Sequence, residues 1–509
     1  MLLLERTTTR AAAPVEKSTP GVLFAMCLAL VLVVASVSAV NLALPELAVS
    51  MGASNTSLTW IADAYTVALA AFVLPLGALG DAIGRRRVLL AGTALFAVAS
   101  VAAGFSDSTS SLIVWRAVMG LAAAMIMPGT LSTITAVFPP NEREKGVAVW
   151  SGFAGAGAIG GLLAAGALLD NWSWRSIFYV TGAAAVVAGL AAIKFAPETK
   201  DENPHRFDLA GTISTVTGVG ALVFAIIEGS ERGWTEPVVV ISFVTSALAF
   251  IAYYAFSMKN PEPMLDPRLF RRRGFLMGSI TVTVQFMAFL GFFFVALQYL
   301  LLILGYSPLK SAVALIPVAA VILPVSTMTP RLIKWVRVNV ATSVGLLLLT
   351  GGMLWIATLD SHSGYLPFLA GLIVAGAGIG ITSSTGTSLI VTALPTRQQG
   401  VASAMNDTTR EVGSAVGIAL MGAVFTTSYA DHLPSLAGLP ATAATAVQDS
   451  AAAGLAVAEK MGSTQLAEGV KDAFMSGLTD SLVAISAFLV VAAIVNLWGP
   501  KKLPESPGA

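Results

Sequence analysis

Fourteen long apolar runs divide this 509-residue chain, and each is long enough to cross a lipid bilayer. A membrane-spanning helix needs about 20 apolar residues, because only a helix satisfies its own backbone polar groups in lipid. The runs lie at about 20–46, 57–79, 87–105, 110–135, 146–169, 175–196, 209–229, 237–258, 275–304, 309–329, 339–359, 364–393, 400–427 and 475–498. Only 11% of the residues are charged, and the mean hydropathy is +0.81. The sequence therefore predicts an all-α integral membrane protein with fourteen transmembrane helices.

Lysine and arginine residues are strongly biased toward one side of the predicted membrane. With the amino terminus placed inside, the segments between the runs hold 22 of them inside and five outside. Because positive residues stay on the cytoplasmic side, we expect a multi-pass protein of the cell inner (plasma) membrane with both termini cytoplasmic. The net charge of +1 gives no reason to expect a nucleic-acid partner.

The segment GALGDAIGRRRVLL, residues 77–90, lies between the second and third predicted spans. Its glycines, Gly77 and Gly84 among them, allow a tight turn and a close approach of the backbone. The run of arginines that begins at Arg85 places the segment on the cytoplasmic side. Asp81 is a single acid among these cations, so we expect it to pair with one of them or to cap a neighbouring helix end.

Few ionisable residues fall inside the predicted spans, where they are costly and usually functional. Asp63 and Arg116 lie near the outer ends of the second and fourth spans, at similar depth, and could pair; alternatively, Asp63 is a polar anchor at the membrane surface. Asp407 and Arg410 are three residues apart on the thirteenth span, where they either serve transport or neutralise each other. Glu228 ends the seventh span at the outer surface, and we expect it to be solvated.

Small residues on the fifth span spell G-x-G-x-x-G at Gly155, Gly157 and Gly160. This pattern binds dinucleotides only between a strand and a soluble helix, whereas here it lies in an apolar run. We therefore interpret it as a face for close helix packing, extended by Gly161 and Gly166. The sequence has no Gly-Lys pair and hence no Walker A phosphate loop, which argues against ATP as its energy source.

Residues that bind metals are sparse. Cys27 is the single cysteine, and the three histidines, His205, His362 and His432, lie far apart in predicted loops. We therefore expect no intrachain disulfide, no metal site and no cofactor.

Several segments resemble signatures of the major facilitator superfamily of secondary transporters. Residues 77–90 resemble its loop between helices 2 and 3. Further segments resemble its fourteen-helix drug:proton antiporter branch of bacterial type: 40–47, 60–70, 116–131, 141–150, 172–178 and 400–420. The resemblance implies that Gly77, Asp81, Gly84 and Arg85 control conformational switching, and that Arg116 takes part in proton transfer.

Two positions depart from the pattern of this branch. Many relatives carry an aspartate in the first span where this chain has Ser36. In the fifth span, the antiporter signature has a proline where this chain has Leu162 and a glycine where it has Ala165. Asp63 is the only carboxylate predicted inside the first six spans. We therefore expect Asp63 to carry the proton, tuned by Arg116, with Asp407 as the second candidate.

The resemblance implies two six-helix bundles with two helices inserted between them. The expected units are a cytoplasmic tail at 1–19, a bundle at 20–200, the inserted helices and a linker at 201–274, a second bundle at 275–498 and a cytoplasmic tail at 499–509. The second bundle includes an outer loop at 428–474, whose later part suggests one or two surface helices; it is either a tolerated insertion or a lid.

The expected function is proton-coupled export of amphipathic drugs or toxic small molecules, as in multidrug efflux and antibiotic resistance. Its partners would be the substrate, protons and the lipid bilayer, and we expect a monomer. Candidate residues of the substrate cavity are Asn41, Tyr65, Gln285 and Gln298, with phenylalanines near Gln285.

A dedicated exporter of one metabolite or antibiotic is an alternative. From other classes, a membrane-embedded enzyme would need a nucleophile, base or metal at mid-membrane, which the sequence does not offer. A non-transporting sensor with the same fold is the remaining alternative.

Overall fold

The computed structural model describes residues 19–503, apart from residues 52, 54, 201–207, 261–262, 396–397 and 437–438. In this part of the chain, fourteen segments are long and apolar enough to cross a membrane, which confirms the predicted number. The helices are α1 (Thr19–Met51), α2 (Asn55–Ile83), α3 (Arg85–Gly104), α4 (Thr109–Val137), α5 (Pro140–Leu169), α6 (Arg175–Phe195), α7 (Leu209–Arg232), α8 (Pro237–Ser257), α9 (Arg273–Gln298), α10 (Pro308–Ala314), α11 (Ile316–Trp335), α12 (Val338–Ala357), α13 (Tyr365–Val391), α14 (Gln399–Asp431), α15 (Ala441–Asp449), α16 (Ala451–Met461) and α17 (Thr464–Asn496). α10 and α11 together make one span. The predicted tails lie outside the described residues, except for Thr19 and residues 499–503.

Several helices extend beyond the apolar runs, because the local sequence caps them further out. α5 begins at Pro140, whose fixed φ suits the first turn of a helix and whose missing N–H is not needed there. α17 begins at Thr464, after the side chain of Ser463 accepts a hydrogen bond from the backbone nitrogen of Leu466. Hydrophobicity alone therefore places these helix ends too close to the middle of the membrane.

The membrane-spanning helices form two bundles and a peripheral pair. α1–α6 pack on one another, and so do α9, α10–α14 and α17, which gives the two six-helix bundles that the resemblance implies. α7 and α8 pack together, and the hydroxyl of Ser246 donates to the carbonyl of Gly218 at 2.8 Å between them. α7 also contacts α2 and α14. The inserted pair thus lies where the two bundles meet.

The two bundles contact each other along two seams. In the first, α2 and α4 contact α14; in the second, α5 contacts α11 and α13. We call them the α2–α14 seam and the α5–α11 seam. In the α5–α11 seam, the hydroxyl of Ser326 donates to the carbonyl of Ala148 at 2.6 Å. Gly152 allows this approach, because a Cβ there would lie 2.9 Å from the side chain of Leu323.

The segments outside the membrane are tied to the bundles. The outer segment 428–474 contains the end of α14, the short helices α15 and α16, and the start of α17, so the suggested surface helices are present. The hydroxyl of Tyr429 donates to the carbonyl of Val447 at 2.8 Å and fastens α15 to α14. Between α8 and α9, Arg272 Nη1 donates to the carbonyl of Ala393 at 2.9 Å, which anchors the linker to the second bundle.

Candidate functional site

The α2–α14 seam contains a buried ionic cluster. Asp81 lies near the end of α2, and its carboxylate accepts hydrogen bonds from the backbone nitrogens of Gly400 at 2.9 Å and Val401 at 3.2 Å. These N–H groups belong to the first turn of α14, which has no carbonyl partners of its own for them. Arg85 Nε donates to the same carboxylate at 2.8 Å and forms an ion pair with it. Asp81 therefore pairs with an arginine and also caps a helix of the other bundle.

Residues 77–90 are not a loop, which corrects the sequence-based expectation. α2 continues to Ile83 and α3 begins at Arg85, so Gly84 alone separates the two helices, with a φ of 122°. One residue in this left-handed region is enough to turn the chain, and the residues on either side stay helical. Gly77 is at a close contact between the bundles, because a Cβ there would lie 2.7 Å from the Cβ of Ala404.

The next two arginines of this segment bind the end of α6 rather than Asp81. The backbone nitrogen of Arg86 donates to Glu198 Oε1 at 3.2 Å, and its Nη2 donates to the carbonyl of Ile193 at 2.7 Å. Arg87 Nε lies 3.7 Å from Glu198 Oε2. Glu198 thus holds the first turn of α3, a role that the sequence analysis did not assign.

Arg116 is buried on α4 against α2. Its Nε and Nη2 donate to the carbonyls of Ile61 at 2.9 Å and Ala62 at 3.3 Å. Its guanidinium carbon lies 4.5 Å from the centre of the Tyr65 ring. Asp63 is half-buried and close enough to act electrostatically on Arg116. The structure therefore brings Asp63, Arg116 and Tyr65 together in the half of the first bundle that the charge bias predicts to be outer.

A second buried polar cluster lies on α14. Asp407 is fully buried; its Oδ1 accepts a hydrogen bond from Asn406 Nδ2 at 3.4 Å, and its Oδ2 has no hydrogen-bond partner among the described residues. Arg410 is 2% exposed, and its Nη2 donates to Thr387 Oγ1 at 3.4 Å. Within the described part of the chain, Asp407 and Arg410 form no ion pair. The two side chains nevertheless lie close enough to interact electrostatically, so a role in transport and mutual neutralisation both stay open.

Two aromatic rings flank Arg410. Its guanidinium carbon lies 4.6 Å from the centre of the Trp150 ring on α5 and 4.9 Å from that of Phe286 on α9. Trp150 is fully buried, and its Nε1 donates to Thr130 Oγ1 at 3.0 Å. The sequence analysis gave Trp150 no role. No signal in the sequence pointed to it, because Trp150 lies only four residues after the start of the predicted span 146–169, where an interfacial tryptophan is usual.

The four predicted cavity residues do not share one environment. Gln285 is buried, and its Oε1 accepts a hydrogen bond from Ser383 of α13 at 3.1 Å. Tyr65 is fully buried, and its hydroxyl donates to a carbonyl of α1 at 3.1 Å. Asn41 is exposed on α1, and Gln298 is partly exposed at the end of α9. In this conformation, Tyr65 and Gln285 therefore contact neighbouring helices rather than open space.

The glycines of α5 do not all face the same neighbouring helix. Gly161 allows α1 to approach closely, because a Cβ there would lie 2.6 Å from the Cα of Ala35. Gly157 also faces α1, and Gly166 faces α10, each with ordinary contact distances. Gly160 does not belong to the packing face, because a Cβ there would meet nothing within 4 Å. A helix turns about 100° per residue, so Gly157 and Gly161 share one side, whereas Gly160 points elsewhere.

Two expectations about acidic residues are wrong. Asp63 is not the only carboxylate inside the helices of the first bundle, because these also contain Glu46, Asp81, Glu142 and Glu144. Glu228 is not solvated; it is 2% exposed and pairs with Arg232, one turn further along α7. Asp81, Glu142 and Glu144 belong to helices that continue past their apolar runs, and α7 likewise continues past its run to Arg232.

Comparison with known proteins places this architecture among transporters. The sequence model of the Major Facilitator Superfamily matches residues 26–418. The chain is similar to the multidrug efflux pump LfrA of Mycolicibacterium smegmatis, with 31% identity over 455 residues that cover 89% of this chain and 90% of LfrA. It is also similar to the methyl viologen resistance protein SmvA of Salmonella typhimurium, with 27% identity over 463 residues that cover 90% and 93% of the two chains.

The fold agrees with these matches. The crystal structure of the human organic anion transporter MFSD10 superposes with a TM-score of 0.60 at 15% identity, covering 94% of this chain and 100% of that chain. At this identity the superposition bears on the fold alone. The family match extends over most of the chain, and twelve of the fourteen spans form the corresponding two bundles. The chain therefore belongs to the Major Facilitator Superfamily.

Proposed function

We propose that this protein is a secondary active exporter that moves amphipathic, cationic or aromatic small molecules out of the cell in exchange for protons. One observation carries the proposal: Asp407 is fully buried inside the membrane, and its Oδ2 has no hydrogen-bond partner among the described residues. Such a group is costly in a membrane and typically serves an ion or substrate pathway. The names of LfrA and SmvA support the substrate class, because methyl viologen is an aromatic dication.

The contacts between the bundles support an alternating mechanism. Asp81 with Gly400 and Ser326 with Ala148 join the bundles at the end that the charge bias predicts to be cytoplasmic. Substrate that enters from the cytoplasm requires these contacts to separate, after which the bundles rock around a central site. In this proposal, Gly77, Asp81, Gly84 and Arg85 control the conformational change and do not bind substrate.

The chemistry of export would be a competition at one carboxyl group. An ionised Asp407, with Glu411 as a second carboxyl group nearby, attracts a cationic substrate. A proton that arrives from outside neutralises the carboxylate, so the cation is released; loss of that proton to the cytoplasm restores the charge. Asp63 beside Arg116, the first candidate from the sequence, becomes the second candidate for this role, because it is only half-buried whereas Asp407 is fully buried.

The test uses purified protein in liposomes, with tetraphenylphosphonium as the substrate. The membrane potential is clamped with potassium and valinomycin, so that only an imposed pH gradient can drive transport. We expect the gradient to move tetraphenylphosphonium without ATP and a protonophore to abolish the movement. Transport that needs ATP, or that ignores the pH gradient, would contradict proton coupling.

A matched pair of variants on α14 locates the coupling group. Asp407→Asn should abolish transport driven by the pH gradient, because the amide cannot exchange a proton in this range. Asp431→Asn makes the same change at the exposed end of the same helix and should behave as the unmodified protein does. Unchanged pH dependence in Asp407→Asn would instead assign the coupling to another carboxyl group, either Glu411, which lies one turn further along α14 and interacts with Asp407 and Arg410, or Asp63.

A further inference from the structure

The surroundings of Arg410 resemble those of a bound organic cation. Aromatic faces attract cations when the charge lies within about 6 Å of the ring centre. The guanidinium carbon of Arg410 meets this condition with Trp150 at 4.6 Å and with Phe286 at 4.9 Å. Asp407, one helical turn away, supplies negative charge. Two rings and a carboxylate are the groups that recognise a cation whose charge is spread over an apolar body.

These groups lie at similar heights along three helices and belong to both bundles. Trp150, Arg410 and Phe286 follow the predicted cytoplasmic ends of α5, α14 and α9 by about 15 to 20 Å at 1.5 Å per residue. Because α5 belongs to one bundle and α9 and α14 to the other, rocking of the bundles would separate the Trp150 ring from Phe286.

Arg410 is held mainly by the rings rather than by hydrogen bonds. Its bond to Thr387 Oγ1 is long, at 3.4 Å, and its Nε has no hydrogen-bond partner in the described part of the chain. Arg116 is a useful contrast, because its Nε donates to a backbone carbonyl at 2.9 Å. A cation from outside could therefore replace the Arg410 guanidinium between the rings without breaking a strong polar contact.

We propose that Trp150 and Phe286 form the organic-cation site of this transporter, and that the Arg410 side chain occupies this site when no substrate is bound. The substrate displaces Arg410 and takes its place between the two rings beside Asp407. Arg410 thereby acts as an internal competitor that keeps the site filled during the return of the empty protein. This inference rests on the proposed export function and names the residues that would contact its substrate.

The test measures equilibrium binding of tetraphenylphosphonium to the purified full chain, together with its transport. Trp150→Leu should weaken binding by about tenfold, a ratio within the range of cation–π contacts. Trp150→Phe keeps an aromatic face and should restore most of the affinity. Trp174→Leu is the matched control, since Trp174 is also buried and contacts an arginine, Arg175, but lies at the start of α6. It should leave the affinity unchanged.

A double-mutant cycle tests the displacement of Arg410. Arg410→Gln should strengthen tetraphenylphosphonium binding, because the internal competitor is gone. Loss of a positive charge near Asp407 would also strengthen tetraphenylphosphonium binding. The gain in affinity from Arg410→Gln is therefore measured again in the presence of Trp150→Leu. Displacement predicts that most of the gain disappears in the double variant, whereas a purely electrostatic effect leaves it intact.

The outcomes separate this inference from the export function. If the unmodified protein neither binds nor transports tetraphenylphosphonium, the proposed function fails as well. If it transports the cation but Trp150→Leu binds it as well as Trp174→Leu does, only the aromatic site is overturned. Equal thermal unfolding temperatures of Trp150→Leu and Trp150→Phe would exclude misfolding as the cause of a weaker affinity.

Discussion

Gly400 donates its backbone N–H to the carboxylate of Asp81 at 2.9 Å, although 319 residues separate them in sequence. The contact joins the end of α2 in one bundle to the first turn of α14 in the other. The amino-terminal end of a helix carries a partial positive charge, so a carboxylate is well suited to this position. Asp407 and Arg410 lie two to three turns further along α14, so movement of its end is transmitted to the candidate site by one rigid helix.

Asp81→Asn should therefore reduce the transport rate and leave substrate affinity unchanged. The amide can still accept a hydrogen bond, but it loses the charge that interacts with the helix end and with Arg85. A hydrogen bond to a charged group is stronger than a neutral one by about 1 kcal/mol, which corresponds to about a fivefold change in the equilibrium constant between the closed and open states. Initial rates and equilibrium binding of tetraphenylphosphonium check this. Equal losses of both would indicate misfolding or a direct binding role.

Ser326→Ala should destabilise the same closed state, in which the two bundles are in contact at their predicted cytoplasmic end, but through the α5–α11 seam. It removes the 2.6 Å hydrogen bond to the carbonyl of Ala148, with an expected loss of about 1 kcal/mol. This contact shares no residue with Asp81 and Gly400, so the effects of Ser326→Ala and Asp81→Asn on the closed state should multiply in the double variant. Accessibility of an engineered cytoplasmic-side cysteine to a soluble thiol reagent measures that state. A double variant no more open than either single one would show that one seam alone closes this end.

The sequence predicts the number and order of the spans because length, hydrophobicity and charge are local properties. Contacts across the seams are not local. Nothing in the segment around Trp150 indicates that its ring lies against Arg410, because that contact depends on how two separately folded bundles meet. For the same reason, the pattern at Asp81 indicates a helix cap but not which helix it caps.

The ends of the helices are the other part that hydrophobicity does not predict. Charged residues mark the membrane boundary in a hydropathy profile, but a helix ends only where its backbone is capped or broken. Gly84 alone changes the direction of the chain, so Asp81 and Arg85 stay helical on either side of it. Glu228 and Arg232 form an i,i+4 pair within α7, which removes the need for water at Glu228.

Asp407→Asn and Asp63→Asn should have different effects on coupling. Asp407 is fully buried at the depth of the candidate substrate site, whereas Asp63 is half-buried near Arg116. We expect Asp407→Asn to make tetraphenylphosphonium transport independent of the pH gradient, and Asp63→Asn to slow transport while the gradient still drives it. The measurement is the transport rate at several imposed gradients. The reverse pattern would assign proton transfer to Asp63 and leave Asp407 a role in substrate binding.

Gly84→Val should impair both folding yield and transport more than Asp81→Asn does. A β-branched residue rarely adopts a φ of 122°, and its Cβ would also lie 2.6 Å from Glu198 Oε1, the group that holds the start of α3. Gly233→Val is the matched control, because Gly233 also has a positive φ, at 103°, but has nothing within 4 Å of its Cβ position. Expression level and thermal unfolding temperature separate backbone strain, which both variants share, from the clash with Glu198. Equal expression levels and unfolding temperatures of Gly84→Val and Gly233→Val would mean that the contact with Glu198 does not contribute to stability.

Gly161→Ala and the neighbouring Gly160→Ala should change stability in opposite directions. In a helix, alanine is favoured over glycine by about 0.5–1 kcal/mol, so Gly160→Ala, with no atom within 4 Å of the new Cβ, should raise the unfolding temperature slightly. The same substitution at Gly161 places a Cβ 2.6 Å from the Cα of Ala35, and backbone atoms cannot move aside as a flexible side chain can. α1 and α5 would then have to separate, which we expect to cost about 1–3 kcal/mol, the range typical of overpacking. Thermal unfolding of the two variants in the same detergent gives the comparison. If Gly161→Ala is as stable as Gly160→Ala, then α1 and α5 do not pack as closely as this structure shows.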